Sequence, residues 1–216
     1  MIFPIDSSLA EIAPTWAVSA FVFSSRLIFR SSSTTADEPS HITSGYTVLA
    51  RGTSGLWTVP QRGHPLGVDA WLALPLWIAQ PEIAVERMAG WQTDYAPFLY
   101  SFWASLARQE QTVFAARVQA MLLTLLLGAV VWRWGQDLWG RWAGLLSLGV
   151  LVFDPTLIAH GRLATNDLGV TALGTWALYR VWRWTEHPTW GQALGIGLLL
   201  ALTMLAKASG VLWGAA

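Results

Sequence analysis

Cysteine is absent from the 216-residue sequence, and charged residues make up only 12% of it. The absence of cysteine excludes disulfides, thiolate metal sites and cysteine nucleophiles. The scarcity of charge argues against a soluble domain, since roughly a quarter of the residues in an average soluble domain are charged. The formal net charge is zero, so no basic excess indicates binding to nucleic acid.

Hydrophobic residues and tryptophan are abundant instead. Hydrophobic residues make up 54% of the chain, the mean hydropathy is +0.43, and there are 15 tryptophans. Tryptophan favours the membrane–water interface, where the ring is buried and the N–H stays hydrated. Lipid tails solvate the apolar outside of a helical bundle. The composition therefore predicts an all-α integral membrane protein.

About five segments are predicted to cross the membrane as a polytopic helix bundle, because a helical span needs about 17 to 25 apolar residues. Between the first two segments, residues 31–112 are predicted to form a long external loop. Two short apolar runs in this loop, 66–80 and 96–107, are expected to lie as helices along the membrane interface. The predicted spans are residues 12–29, 113–132, 142–158, 168–183 and 191–213.

The charges of the short loops predict the orientation of the bundle. Residues 133–141 and 180–186 carry the basic excess that is typical of cytoplasmic loops. Loop 159–167 carries a single arginine and is expected on the extracytoplasmic face, together with residues 31–112. The acidic N-terminus would then be cytoplasmic, which the charge rule does not favour.

The first candidate site is the sequence TADEPSH, which begins at Thr35. Pro39 suits the first turn of a helix, and in such a helix Asp37 and His41 can lie on one face. Thr35 and Glu38 have the spacing of a capping box, which would make the acidic residues structural. In the alternative interpretation, Asp37 is a general base that takes a proton from an acceptor hydroxyl.

Three more candidate residues, one histidine and two charged residues, lie between predicted apolar helices in the sequence FDPTLIAHGRLATND. They are His160, Arg162 and Asp167. Ionisable groups at the membrane boundary are costly, so they are candidates for function. The structural alternative is that Thr165 or Asn166 caps the next helix, with the following acid in its first turn.

Two further basic groups are candidates for binding a phosphate. His64 precedes a proline, which favours an extended or turn backbone, so it belongs either to an ordinary loop or to a phosphate site. Lys207 lies about 16 residues into the last predicted span, roughly 24 Å along a helix and near its outer end. Its side chain either extends to the lipid headgroups or binds a lipid-linked phosphate.

These motifs, in this order, resemble the type C glycosyltransferases, especially protein O-mannosyltransferases and their bacterial relatives that use undecaprenyl- or dolichyl-phosphate sugars. The matching stretches are ADEPSHITSGYTVLARG, HPLGVDAWLALPL, FDPTLIAHGRLATNDLGVTALGTWALY and LGIGLLLALTMLAKASGVL. They cover most of residues 37–212. The chain departs from the family in having fewer spans, and in reading His64-Pro-Leu where the family usually has His-Pro-Pro.

The resemblance implies a role for each candidate residue. Asp37 is the expected catalytic carboxylate, Glu38 is its neighbour in the acidic motif, and Asp167 is the second acidic position. The residues expected near the donor phosphate are His64, His160, Arg162, Asp167 and Lys207. A divalent cation, Mg²⁺ or Mn²⁺, could bind between Asp37, Glu38 and Asp167, which offer hard oxygen ligands.

The function implied by the resemblance is transfer of a sugar from a polyprenyl-phosphate carrier to an acceptor hydroxyl, with inversion. The acceptor would be a protein, a lipid or a glycan on the extracytoplasmic face of a bacterial cell membrane. The 216 residues are expected to be the N-terminal part of such a module. The alternative is a non-catalytic membrane subunit that keeps the fold. A transporter is less favoured, because no paired interrupted helices are evident.

Overall fold

The computed structural model describes residues 35–52 and 65–214. Within these ranges every regular element is helical, which confirms the all-α prediction. The α-helices are α1 (Glu38–Arg51), α2 (Gly67–Ala79), α3 (Tyr95–Ser105), α4 (Gln109–Trp139), α5 (Arg141–Val152), α6 (Pro155–His160), α7 (Asp167–Glu186) and α8 (Trp190–Ala206). Short 3₁₀ helices span Val85–Arg87 and Ala208–Gly214. The predicted first span, 12–29, and His64 lie outside the described residues.

Helix α4 is the central element of the bundle, against which α2, α5 and α7 pack. Within the described part of the chain it is the single helix that is long and apolar enough to cross a membrane. Helices α2, α5 and α8 are apolar but shorter. One candidate for a membrane-crossing helix is therefore found among the described residues, and five crossings remain a prediction.

The end of α4 differs from the prediction. The sequence predicts a turn over residues 133–141, but the helix continues to Trp139, so that prediction is wrong. No proline interrupts this stretch, and Arg133 forms an ion pair with Asp137 one turn later, which stabilises a helix. The chain turns at Gly140, whose φ of +82° favours glycine.

The predicted third span, residues 142–158, is divided into two helices. Helix α5 ends at Val152, and α6 begins at Pro155. The Asp154 carboxylate accepts a hydrogen bond of 2.8 Å from the backbone N–H of Leu157, and so caps α6. Proline lacks the N–H that a continuous helix would need, so the chain starts a new helix here.

The chain turns back after α8. The sequence predicts a span over residues 191–213, but α8 ends at Ala206, and Lys207 has an extended backbone. The next 3₁₀ helix folds against α8, because a Cβ added at Gly210 would lie 2.1 Å from the carbonyl oxygen of Thr203. Serine and glycine follow the lysine and interrupt the helical pattern. The predicted span is therefore wrong beyond Ala206.

The 3₁₀ helix Ala208–Gly214, which follows Lys207, packs back into the bundle. A Cβ added at Gly174 of α7 would lie 2.3 Å from the ring of Trp213. Gly174 is two turns along α7 from Asp167, which corresponds to about 10 Å. Lys207 therefore lies in the turn where the chain reverses direction after α8, near the level at which α7 begins.

Exposed tryptophans mark the other end of the bundle. Trp139, Trp142 and Trp190 are each more than half exposed. They lie where α4 ends, where α5 begins and where α8 begins. Indole rings in this arrangement are typical of the headgroup region of a membrane.

Three consecutive residues in the first turn of α2 each approach a different helix closely. The contacts reach the end of α8, the start of α7 and the middle of α1. In two of them a glycine lies on the other helix, and in the third the glycine belongs to α2. Helix α2 therefore joins the end of α8, the start of α7 and the middle of α1. The contacting pairs are Gly67–Leu205, Val68–Gly169 and Asp69–Gly45.

Gly45→Ala is expected to destabilise the fold. The added Cβ would lie 1.9 Å from the carbonyl oxygen of Asp69, and overpacking of this kind costs about 1–3 kcal/mol or more. Thermal unfolding in detergent would measure the loss. Gly149→Ala is the matched control, because nothing lies within 4 Å of its added Cβ. Equal transition temperatures for the two variants would contradict the close crossing of α1 and α2.

Candidate active site

A buried ion pair between Glu38 and Arg117 lies at the centre of the candidate site. The Arg117 Nε and Nη2 atoms donate to the two Glu38 carboxylate oxygens at 2.8 and 2.7 Å, which is a bidentate arrangement. The backbone N–H groups of Ala164 and Thr35 also donate to this carboxylate, each at 3.0 Å. The ion pair therefore joins α1, α4 and the loop between α6 and α7.

The Glu38 carboxylate is ionised although it is fully buried. Burial alone raises its pKa, but the hydrogen bonds from Arg117, Ala164 and Thr35 outweigh that effect and lower the pKa below its ordinary value. Buried charges are tolerated when they are paired and hydrogen-bonded. Glu38 therefore serves as an anchor for the start of α1.

Asp37 has a different environment from its neighbour. It occupies the N-cap position of α1, but its side chain makes no capping hydrogen bond, and the residue is exposed. The Thr35 N–H bond to Glu38 is one half of the predicted capping box. The other half is not formed, because the Thr35 hydroxyl has no hydrogen-bond partner among the described residues. Among the described residues, the Asp37 carboxylate therefore makes no capping bond, while the neighbouring backbone is anchored through Glu38.

Asp167 and Lys207 form an ion pair. Asp167 is the first residue of α7, and Lys207 is the residue that follows α8. Both side chains are partly exposed. The lysine therefore does lie at the same end of the bundle as Asp167, although it occupies a turn and not a helix.

Arg162 and Thr165 lie beside Ala164 in the loop that binds Glu38. The Nε and Nη1 atoms of Arg162 and the hydroxyl of Thr165 are buried, and within the described ranges they have no hydrogen-bond partner. Buried donors without a partner are costly. These donors of Arg162 and Thr165 are therefore candidates for hydrogen-bonding an anion.

His160 ends α6 and is exposed. The next residue, Gly161, accepts a hydrogen bond of 2.8 Å from the Thr124 hydroxyl of α4, so this loop is tied to the central helix. Asn166 precedes α7 but makes no capping hydrogen bond with its side chain. The Thr165 hydroxyl has no partner among the described residues either, so the predicted capping by Thr165 or Asn166 is wrong, whereas Asp167 does lie in the first turn.

The two acidic positions lie at the same end of the bundle, which we call the motif end and define by Glu38, Ala164, Asp167 and Lys207. The Glu38–Ala164 hydrogen bond joins the acidic motif to the loop before α7, and the Asp167–Lys207 ion pair adds the end of α8. The opposite end is marked by a hydrogen bond of 2.8 Å from the Tyr179 hydroxyl to the Asp137 carboxylate of α4. These ends are about 18 Å apart along α7.

Sequence reasoning missed Arg117 and Asp69. Each is a charged residue within an apolar stretch of its helix, which is a recognised sign of function or of a buried partner. Arg117 pairs with Glu38, 79 positions away, and Asp69 pairs with His41, 28 positions away. The signal for the residues was present in the sequence, but the identity of their partners depends on the fold.

The predicted cation site includes a carboxylate that is already paired. Both oxygens of Glu38 already accept hydrogen bonds from Arg117 and from the backbone. No group of three or more acidic residues or histidines that could hold a metal occurs in the part of the chain that the structure describes. Glu38 is therefore an ion-pair partner in this structure, and a cation bound by Asp37, Glu38 and Asp167 stays a prediction.

The fold and the site define a class: a helical membrane protein whose acidic and basic motifs meet at one end of the bundle. A family model described as dolichyl-phosphate-mannose-protein mannosyltransferase matches residues 95–216, more than half of the chain. The chain belongs to this family of membrane-integral glycosyltransferases, which confirms the resemblance to type C enzymes. Comparison with curated proteins and with solved structures gave no match.

The matched region contains the basic and acidic residues of the later helices, including Arg117, Arg162, Asp167 and Lys207. It begins after the acidic motif of α1. The role of Asp37 therefore rests on its environment and on the resemblance of its own motif.

Proposed function

We propose that this protein transfers a sugar from a polyprenyl-phosphate carrier to an acceptor hydroxyl on the extracytoplasmic face of a bacterial membrane. The observation that supports this most directly is the Glu38–Ala164 hydrogen bond. It holds the exposed Asp37 carboxylate at the same end of the bundle as the buried donors of Arg162 and Thr165, which have no partner in the described residues. A base and a phosphate-binding group are the two components that such a transfer requires.

Asp37 is the proposed general base. A hydroxyl is a weak nucleophile at neutral pH, so a carboxylate assists it by removing its proton during attack on the anomeric carbon. The new bond forms between the acceptor oxygen and the anomeric carbon, while the bond from that carbon to the phosphate oxygen breaks. Attack from the face opposite the phosphate inverts the anomeric configuration.

The leaving group is a polyprenyl phosphate, and cations near it stabilise the developing negative charge. Arg162 is the first candidate, because two of its guanidinium nitrogens are buried without a partner in the described residues. Lys207 is the second, and Asp167 holds its ammonium group in place. His160 and His64 remain proposed contacts of the same phosphate.

Apolar helix faces accommodate the polyprenyl chain in this proposal. Leu205, Val211 and Leu212 are each more than half exposed, on the two segments that meet at the Lys207 turn. An isoprenoid chain on these side chains would bring its phosphate towards the motif end. The steps proposed here are assigned to side chains of the protein alone, and a divalent cation stays a prediction.

The proposal is tested with the full-length protein in proteoliposomes that contain polyprenyl-phosphate-mannose and a hydroxyl acceptor. Transfer with an inverted product, detected by NMR of the anomeric proton, is the expected result. A folded wild-type protein without transfer to protein, lipid or glycan acceptors would favour the alternative, a non-catalytic membrane subunit.

Lys207→Met is expected to raise the KM for the donor by about 10-fold or more. A hydrogen bond to a charged group is worth about 1.5–3 kcal/mol, and the variant loses the proposed bond to the donor phosphate. Steady-state kinetics in proteoliposomes would measure the change. Arg183→Gln is the control, because Arg183 lies at the opposite end of the bundle, near Asp137. An unchanged donor KM for Lys207→Met would remove the lysine from the phosphate site.

A further inference from the structure

A second buried pair lies next to the acidic motif, and the mechanism above does not use it. The Nδ1 atom of His41 is 2.7 Å from the Oδ1 atom of Asp69. Asp69 is fully buried, and His41 is 7% exposed. Breaking a buried ionisable pair is costly, and such a pair is weak evidence for stability alone. Its location therefore invites a functional explanation.

The pair acts on the backbone that carries Asp37. The backbone N–H of His41 donates to the carbonyl oxygen of Asp37 at 3.1 Å, which closes the first turn of α1. The ring of His41 is in turn held by Asp69. On the other side of the same turn, Glu38 is held by Arg117. The backbone of Asp37 is thus fixed through Glu38 and His41, while the Asp37 side chain makes no capping bond.

The position of Asp69 is itself fixed. Gly45 of α1 allows the Asp69 backbone to approach closely, since an added Cβ would lie 1.9 Å from its carbonyl oxygen. Gly45 is one turn beyond His41, so the same crossing brings the Asp69 carboxylate to the imidazole. The first turn of α1 therefore has a rigid support in α2.

We propose that His41 and Asp69 are positioning residues for glycosyl transfer, which hold the first turn of α1 so that the Asp37 carboxylate meets the acceptor hydroxyl. This inference rests on the proposed role of Asp37 as general base. The pair is not among the groups proposed above to bind the donor phosphate. Its effect should therefore appear in the chemical step and not in donor binding.

Steady-state kinetics with matched variants test the proposal. His41→Ala is expected to lower kcat about 100-fold, the cost of misplacing a reacting group by about 1 Å, with the donor KM unchanged. His41→Asn, whose amide can replace the Nδ1 hydrogen bond to Asp69, is expected to restore most of kcat. Arg51→Gln is the control, because it breaks the ion pair with Glu86 at the far end of α1 and should leave kcat unchanged.

A spin label provides a readout that does not depend on transfer. The chain has no cysteine, so Asp37→Cys gives a single attachment site for a nitroxide. We expect an immobilised EPR spectrum with His41 present, a mobile spectrum with His41→Ala, and an immobilised spectrum again with His41→Asn. Equal mobility in all three backgrounds would overturn the proposal, as would a loss of kcat in His41→Ala that His41→Asn does not restore.

The two measurements separate this inference from the proposed function. If the wild-type protein shows no transfer, or if Asp37→Asn keeps it, the proposed function fails. The mobility of the label at position 37 still decides whether His41 and Asp69 fix that position. If transfer depends on Asp37 but kcat is unchanged in His41→Ala, the positioning role fails while the function stands.

Discussion

Asp37→Asn is expected to reduce the rate of sugar transfer about 10²- to 10⁴-fold, the typical contribution of general acid–base catalysis. Asparagine has nearly the shape of aspartate but cannot accept the proton of the attacking hydroxyl. Because Asp37 is exposed and its side chain makes no capping bond, the variant should fold normally. The measurement is kcat in proteoliposomes, together with the thermal transition in detergent.

Asp94 provides the matched control for Asp37. It is also an exposed aspartate at a helix N-cap, but its carboxylate accepts a hydrogen bond from the Ala96 backbone N–H at 3.2 Å. Asp94→Ala is expected to lower stability by about 0.5–2 kcal/mol, as loss of a cap does, and to leave kcat unchanged. Asp37→Asn should show the reverse pattern. Full turnover by Asp37→Asn would remove the residue from the mechanism.

Arg117→Met is expected to destabilise the protein by about 3–5 kcal/mol, the cost of leaving one partner of a buried ion pair unpaired. The Glu38 carboxylate would stay buried with only the two backbone N–H donors. Adding Glu38→Gln should recover part of the loss, because the double variant no longer buries an unpaired charge. Unfolding in a mixed detergent series would measure each free energy of unfolding.

Arg51→Gln is the control for this series. It breaks an ion pair with Glu86 that is partly exposed, and ion pairs at the surface are worth about 1 kcal/mol or less. If Arg117→Met costs no more than Arg51→Gln, the buried pair does not hold α1, α4 and the loop before α7 together. If the double variant is less stable than Arg117→Met alone, the unpaired charge is not the cause of the loss.

The sequence predicted the helices more successfully than their ends. Apolar runs are read from composition, so the core of α4 was predicted correctly. The last turns of α4 contain polar residues whose composition favours a turn, but two of them, Arg133 and Asp137, pair within the helix, and the helix continues to Trp139. Likewise, the end of α8 is set by the chain folding back at Lys207, which hydropathy alone does not indicate.

In the candidate site, likewise, some features could be predicted from the sequence and others depend on the fold. The types of residue were evident from the motifs, and the prediction that Lys207 and Asp167 lie at one end agrees with their ion pair. The distinct environments of Asp37 and Glu38 were not predictable, because they depend on Arg117, a residue far away in the chain. Two adjacent carboxylates look equivalent in a sequence until the fold supplies a partner for one of them.

The first turn of α2 limits how the length of this chain can vary. Its three consecutive residues contact three helices that carry Asp37, Asp167 and Lys207 at or near their ends. Inserting one residue within that turn would rotate everything beyond it by about 100° and shift it by about 1.5 Å. All three contacts could not then be kept together. Natural insertions and deletions should therefore fall on either side of residues 67–69, and length variation among relatives should leave this turn intact.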